Sequence, residues 1–113
     1  VGLQRLRSLR QLVVLYLDGT RVHDAGLENL QGLTQLRQLF LSHNWVTDAG
    51  LKHLGRLPQL EALALDFTGV TDAGLAHLES LSRLRALLLK GTRVTDDGVR
   101  KLQHALPNCK ITR

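Results

Sequence analysis

The sequence predicts an α/β solenoid, with parallel strands on one side and short helices on the other, and three observations predict it. HDAGL at His23 returns as TDAGL at Thr47, TDAGL at Thr71 and TDDGV at Thr95, each copy 24 residues after the last, with no insertion. Fixed self-similarity at such a spacing marks a stacked repeat array. In the second copy Leu39 and Leu41 alternate with Gln38, Phe40 and Ser42, the period-two pattern of a short strand with one buried face. Leu51, Leu54 and Leu57, like Leu75, Leu78 and Leu81, follow at three-residue spacing, which turns one side of a short helix toward the strand's leucines.

Each element has a local reason. The unit LxxLxxLxLxxTxVTDAGLxxLxx gives full copies at 9–32, 33–56, 57–80 and 81–104. Asn44, matched by Thr20, Thr68 and Thr92, falls where the chain turns after the strand, and a short polar side chain there can satisfy loop backbone groups. Thr47, Thr71 and Thr95 are expected N-caps, each followed by an Asp where negative charge favours a helix start. The glycine of each copy is expected to allow close packing. One unit cannot bury its own apolar face, so the copies stack into continuous leucine layers.

These units, with their TDAGLxxL tails, resemble leucine-rich repeats. The likeness is greatest to the helix-bearing subtype of ribonuclease-inhibitor-like and F-box-associated arrays and of many bacterial repeat proteins. It covers almost the whole chain. The resemblance implies a right-handed arc with strands on the concave face and helices on the convex face, and a non-enzymatic module that binds protein.

All 113 residues read as one domain, with 43% hydrophobic residues to form its core. Residues 1–8 form a partial unit, because Val1-Gly2-Leu3-Gln4-Arg5-Leu6 aligns with Ala25-Gly26-Leu27-Glu28-Asn29-Leu30. The chain thus opens inside a repeat and reads as a piece of a longer array or as a design. Residues 105–113 read as a degenerate cap in which Pro107 ends the helix and Cys109 and Ile111 lead a last edge strand. Cys109 is expected to be a small buried filler rather than a reactive thiol.

Several classes of function find no support in the residues. No apolar run approaches the roughly 18 residues of a membrane span, and no charged-then-apolar leader stands at the start, so no membrane partner is expected. A single cysteine makes no internal disulfide, which leaves the compartment open with a lean toward the cytoplasm. Neither Ser-His-Asp nor Cys-His pairing is legible, and no glycine-rich phosphate loop occurs, so no enzyme, cofactor or small-molecule substrate is expected. Asp24, Asp48, Asp72 and Asp96 form a column that suggests a calcium ladder, but each has the ordinary place of a helix-start carboxylate and no second oxygen ligand recurs beside it. His53 and His77 share a helix column and could approach one another, yet two histidines without a third ligand read as a solvated helix face.

Register places the aromatics. Phe40 lies between two inward leucines and so points outward, in a column with Tyr16, Ala64 and Leu88. Trp45 shares a loop column with Arg21, Gly69 and Arg93, and Phe67 one with Gly19, His43 and Gly91. The one Trp, one Tyr and two Phe of the chain all occupy these non-repeating positions, and grouped exposed aromatics serve as binding hot spots. The expected partner-binding set is therefore Tyr16, Phe40, Trp45, Phe67 and Leu88, with Val14 beside them and a rim of Asp18, Arg21, His43, Asp66, Lys90 and Arg93. In the competing structural reading the same rings pack over the strand ends or cover the N-terminal edge and bind nothing.

Outward pointing also implies that Phe40→Ala leaves stability nearly unchanged. The net charge of +5 and pI near 10.1 admit nucleic acid or another acidic surface as the alternative partner. Only Arg21, Lys90 and Arg93 lie near the strand face, however, and no stripe for phosphates forms. A third reading is a structural spacer within a larger protein. Four strands about 4.8 Å apart span only roughly 15 to 20 Å, so the area of the strand face alone falls short of the ~800 Å² per partner of a standard interface, and loops or further repeats would have to contribute. The N-terminal edge is also expected to be open to association.

Overall fold

The computed structural model describes residues 2–113; Val1, with which the expected partial unit begins, lies outside the described residues. Five three-residue strands run in parallel and in chain order: β1 Val14–Tyr16, β2 Gln38–Phe40, β3 Ala62–Ala64, β4 Ala86–Leu88 and β5 Lys110–Thr112. One register holds throughout, pairing Leu15 with Leu39, Leu63, Leu87 and Ile111 in turn. Each crossover passes through one helical segment, and parallel connections of this kind take the right hand. A 3-10 helix at Gly2–Leu6 precedes β1, and the four crossovers carry a 3-10 helix at Asp24–Leu30, α1 Asp48–Leu54, α2 Asp72–Leu75 continued by a 3-10 turn at Ala76–Leu78, and α3 Asp96–Ala105. The architecture is the α/β solenoid that the repeat predicts.

The leucine columns form the core. Leu30, Leu54, Leu78 and Leu102 from the helical side meet Leu39, Leu63 and Leu87 from the strands, and all are buried. Burying each such side chain is worth about 1.5 to 3 kcal/mol. Leu106 and Cys109 close the far end, also buried, and loss of solvation pushes the Cys109 thiol above its usual pKa.

Polar groups stitch the units together, and the Asp column does more than expected. Each carboxylate stands in the first turn of its helix, as expected, and Asp24, Asp48 and Asp72 also bind the next unit. Asp24 Oδ1 accepts the Thr47 backbone N–H at 2.7 Å and its Oδ2 accepts the Thr47 hydroxyl; Asp48 does the same for Thr71 and Asp72 for Thr95. The glycines make this possible, since a Cβ on Gly50 would lie 2.5 Å from Asp24 Oδ1 and 2.8 Å from Leu27 Cδ1. Donation by the Thr95 hydroxyl, and then by its backbone N–H, holds the Asp72 carboxyl below the ordinary range.

The caps follow the same logic. Thr71 and Thr95 still accept N–H bonds from Ala73 and Gly98, whereas Thr47 makes no cap bond, contrary to expectation, and gives its hydroxyl proton to Asp24 alone. Asn44 also reaches across units: its Oδ1 accepts from Thr20 and Val22 N–H, and its Nδ2 donates to the Leu17 and Leu41 carbonyls. The hydroxyls of Thr20, Thr68 and Thr92 donate only within their own turns.

Candidate interaction face

The backbone ladder continues beyond the strands. Gly19, His43 and Phe67 N–H donate to the Ser42, Asp66 and Lys90 carbonyls at 2.9, 2.9 and 2.7 Å, and Trp45, Gly69 and Arg93 N–H to Val22, Val46 and Val70 at 3.0, 2.8 and 3.0 Å. Loop residues one unit apart therefore lie side by side, as strand residues do, and the non-repeating positions become columns on one surface.

On that surface rings pair across units. Tyr16 and Phe40 stack with centroids 4.6 Å apart and planes 5° from parallel, and His43 and Phe67 stack at 4.7 Å and 20°. Trp45 is tilted against His23 at 4.6 Å. Tyr16, Trp45 and Phe67 remain 69, 57 and 47% exposed. Phe40 does not: it is half-buried, with a face covered by Tyr16 and neighbours in both flanking strands. The expectation that its truncation is silent is corrected accordingly. Leu88 and Val14 are half-buried outward residues of β4 and β1. His23 was not in the expected set, although it occupies the column in which the other three copies carry Thr.

The rim divides by charge. Asp18 Oδ1 accepts the Ser42 N–H and Asp66 Oδ1 the Lys90 N–H, both at 2.8 Å, while Ser42 Oγ accepts the Asp66 N–H. Both carboxylates thus serve as links between units, a role that sequence reasoning did not give them. Among the described residues the ion pairs are Arg37–Glu61, Arg100–Asp97 and Arg113–Asp96, so the exposed side chains of Arg21, Lys90 and Arg93 have no carboxylate partner.

One loop column bends unusually. Gly19, His43, Phe67 and Gly91 have φ of 64, 60, 57 and 73°, the left-handed region that suits glycine and costs other residues about 1 to 2 kcal/mol. Two central units carry rings there all the same. The Phe67 ring lies over Gly91, whose added Cβ would collide with it. The signal was present in the sequence as two glycines flanking His43 and Phe67 in one column.

Other surfaces offer less. A cleft of about 790 Å³ opens beside β1, lined by Leu3, Leu6, Leu15, Leu17 and Val22 among others. His53 Nδ1 lies 2.6 Å from Gln31 Nε2, so that ring is engaged by the preceding unit. Among the described residues no group of three or more His, Cys, Asp or Glu side chains could hold a metal ion, and no helix is long and apolar enough to cross a membrane.

Comparison with known proteins places this geometry. A family model for leucine-rich repeats matches residues 10–70. Internalin C2 of Listeria monocytogenes superposes with a TM-score of 0.77 at 31% identity, over 96% of this chain and 46% of that one. A leucine-rich-repeat protein of Leptospira interrogans matches at 0.61 and 24% over 76% of this chain and 21% of its own. An internalin F of Listeria monocytogenes matches at 0.62 and 19% over 96% and 36%; these last two likenesses concern the fold alone. The chain spans less than half the length of each. A search of curated proteins finds no match.

Proposed function

We propose that this chain, which belongs to the leucine-rich-repeat family, holds a partner protein against the outward face of its strands and the loops that follow them, and does so without chemistry. Leucine-rich repeats are in general protein-interaction modules, and solenoids commonly bind through extended repeat surfaces. The observation that carries the reading is the set of rings at non-repeating positions, with Tyr16, Trp45 and Phe67 about half exposed or more beside a core whose leucine columns are buried from the second unit on. Contiguous exposed apolar groups of this kind mark interaction sites.

The test compares wild type with Tyr16→Ala/Trp45→Ala/Phe67→Ala as baits in host lysate, after circular dichroism shows both folded. Proteins retained by wild type alone support the reading; identical captures place the binding elsewhere. Capture of nucleic acid that falls steeply with salt and ignores the aromatic substitutions would favour the basic-surface alternative. The apolar cleft beside β1 supports a second mode, end-on association, which sedimentation of the chain at increasing concentration would reveal.

A further inference from the structure

The outward face is polar along the array. Its rings belong to the first three units, while the last two strands bring up cations: Lys90 and Arg93 follow β4, and the register sets Lys110 of β5 beside Ala86. Ile111 turns inward against the core, so Lys110, one residue before it in the strand, shares the outward side with Lys90. All three are exposed, and none is among the ion pairs of the described residues. On the strand side of the preceding unit, Asp66 has one oxygen committed to the Lys90 backbone N–H; Asp96 and Asp97 at the start of α3 are paired with Arg113 and Arg100.

The ring cluster ends where the cations begin. His43 and Phe67 stack toward the last units, and the Phe67 ring lies over Gly91, between Lys90 and Arg93 in the chain. Their left-handed backbone, shared with Gly19 and Gly91, shows that glycine would suit this column on stability grounds. Rings placed there against backbone preference point to a use outside the fold. With neighbouring strands about 4.8 Å apart, the Trp45 and Arg93 backbones are separated by two units, roughly 10 Å, which an extended chain covers in about three residues.

Resting on the binding reading above, we infer that the partner presents an extended acidic segment: an apolar anchor seated on His43, Trp45 and Phe67, with acidic side chains about three residues along that meet Lys90 and Arg93, while Lys110, beside Ala86 and so about 13 Å from the Lys90 row along the strand direction, adds to the positive field of that side. Opposite charge at the rim sets specificity and approach rate, and the anchor supplies the buried contact.

The experiment uses the full chain and fluorescein-labelled synthetic peptides read by anisotropy. One peptide carries a Trp followed by a run of Asp and Glu, a second the same Trp followed by Lys, a third Trp in a neutral Ser/Gly sequence, and a fourth the acidic run without an aromatic; heparin stands in for a plain polyanion. The expected result is tightest binding of the first, at least about tenfold over every other peptide, weakened by salt. Lys90→Glu/Arg93→Glu/Lys110→Glu should invert the preference toward the Lys peptide. Phe67→Gly should weaken the acidic Trp peptide while the melting temperature stays within about 5 °C of wild type.

Equal binding of the acidic, basic and neutral Trp peptides, lost on Phe67→Gly, would overturn the acidic assignment while leaving the face a binding site. Heparin or the ring-free acidic peptide bound as well as the first, with no effect of Phe67→Gly, would overturn it in favour of a simple polyanion surface. Binding of no peptide would also overturn it, and the lysate comparison would then judge the broader reading by itself.

Discussion

On the inner side of the sheet the matching positions hold Leu15, Leu39, Leu63, Leu87 and Ile111; on the outer side, one residue on, they hold Tyr16, Phe40, Ala64, Leu88 and Thr112. The inner column sits in a cavity whose shape each neighbouring unit reproduces, so one residue type fits nearly every time. Outer-column residues also touch the neighbouring units, Tyr16 stacking on Phe40 and the small Ala64 being buried, but no enclosed layer holds them to one residue type. Uniformity therefore reports packing in this molecule, and variation reports where something other than the next repeat can be met. Substitutions that exchange the two kinds of position test that contrast.

The largest loss should come from the inner side. Leu39→Ala opens a cavity in a fully buried layer and should destabilise by about 2 to 5 kcal/mol, measured as a shift in the urea midpoint at constant slope. Gly50→Ala should follow, at roughly 1 to 3 kcal/mol, because its Cβ would press on Asp24 Oδ1 and Leu27. Combining it with Asp24→Ala, which removes one of the two obstructing groups, should produce a loss smaller than the sum of the two single changes. Simple addition would show that the glycine and the carboxylate do not share the space.

Phe40→Ala should fall between the faces, at roughly 1 to 2 kcal/mol, since it gives up partial burial and the stack on Tyr16. A value equal to that of Leu39→Ala would mean that β2 presents both residues inward. Smaller still is the acid sensitivity of the Asp–Thr links. The folded Asp72 pKa lies below its unfolded value of about 3.9. Its contribution is therefore present above about pH 4 and is lost as pH falls through the folded pKa. Wild type should lose stability more steeply than Asp72→Asn below about pH 4, and parallel curves would dismiss the link.

Most of the framework was legible because the repeat fixes register, and register fixes which side each residue faces. The strands, the leucine layers, the last strand at Lys110–Thr112 and buried Cys109 all follow from a period of 24 and alternation. What escaped sequence reasoning lies between units. Asp24 reads as a helix-start charge until the neighbouring backbone puts Thr47 within reach, and Asp18 reads as a free rim charge until Ser42 N–H points at it. Such contacts join residues 23 or 24 apart through geometry that no local pattern encodes. Phe40 was placed on the correct side, but its degree of exposure depended on the Tyr16 ring in the next strand. Lys110 was overlooked because the degenerate cap hides its column.

The sharpest form of the comparison lies within the left-handed column, where Phe67 stands in a backbone that Gly19 and Gly91 adopt without strain. Phe67→Gly should change stability by no more than about 1 kcal/mol. Relief of the positive φ gives back about 1 to 2 kcal/mol, while the lost burial of the half-covered ring, about 1, and the lost stack on His43, about 0.5 to 1.5, take away a similar amount, and the freer unfolded glycine chain takes a little more. Thermal and urea unfolding measure that balance directly. A near-zero result beside the several-kcal/mol loss for Leu39→Ala would show that the fold does not need this ring, and the ring's place would have to be explained by what it meets from outside. A loss as large as that of Leu39→Ala would make Phe67 part of the packing, and the outer face would then be a continuation of the core.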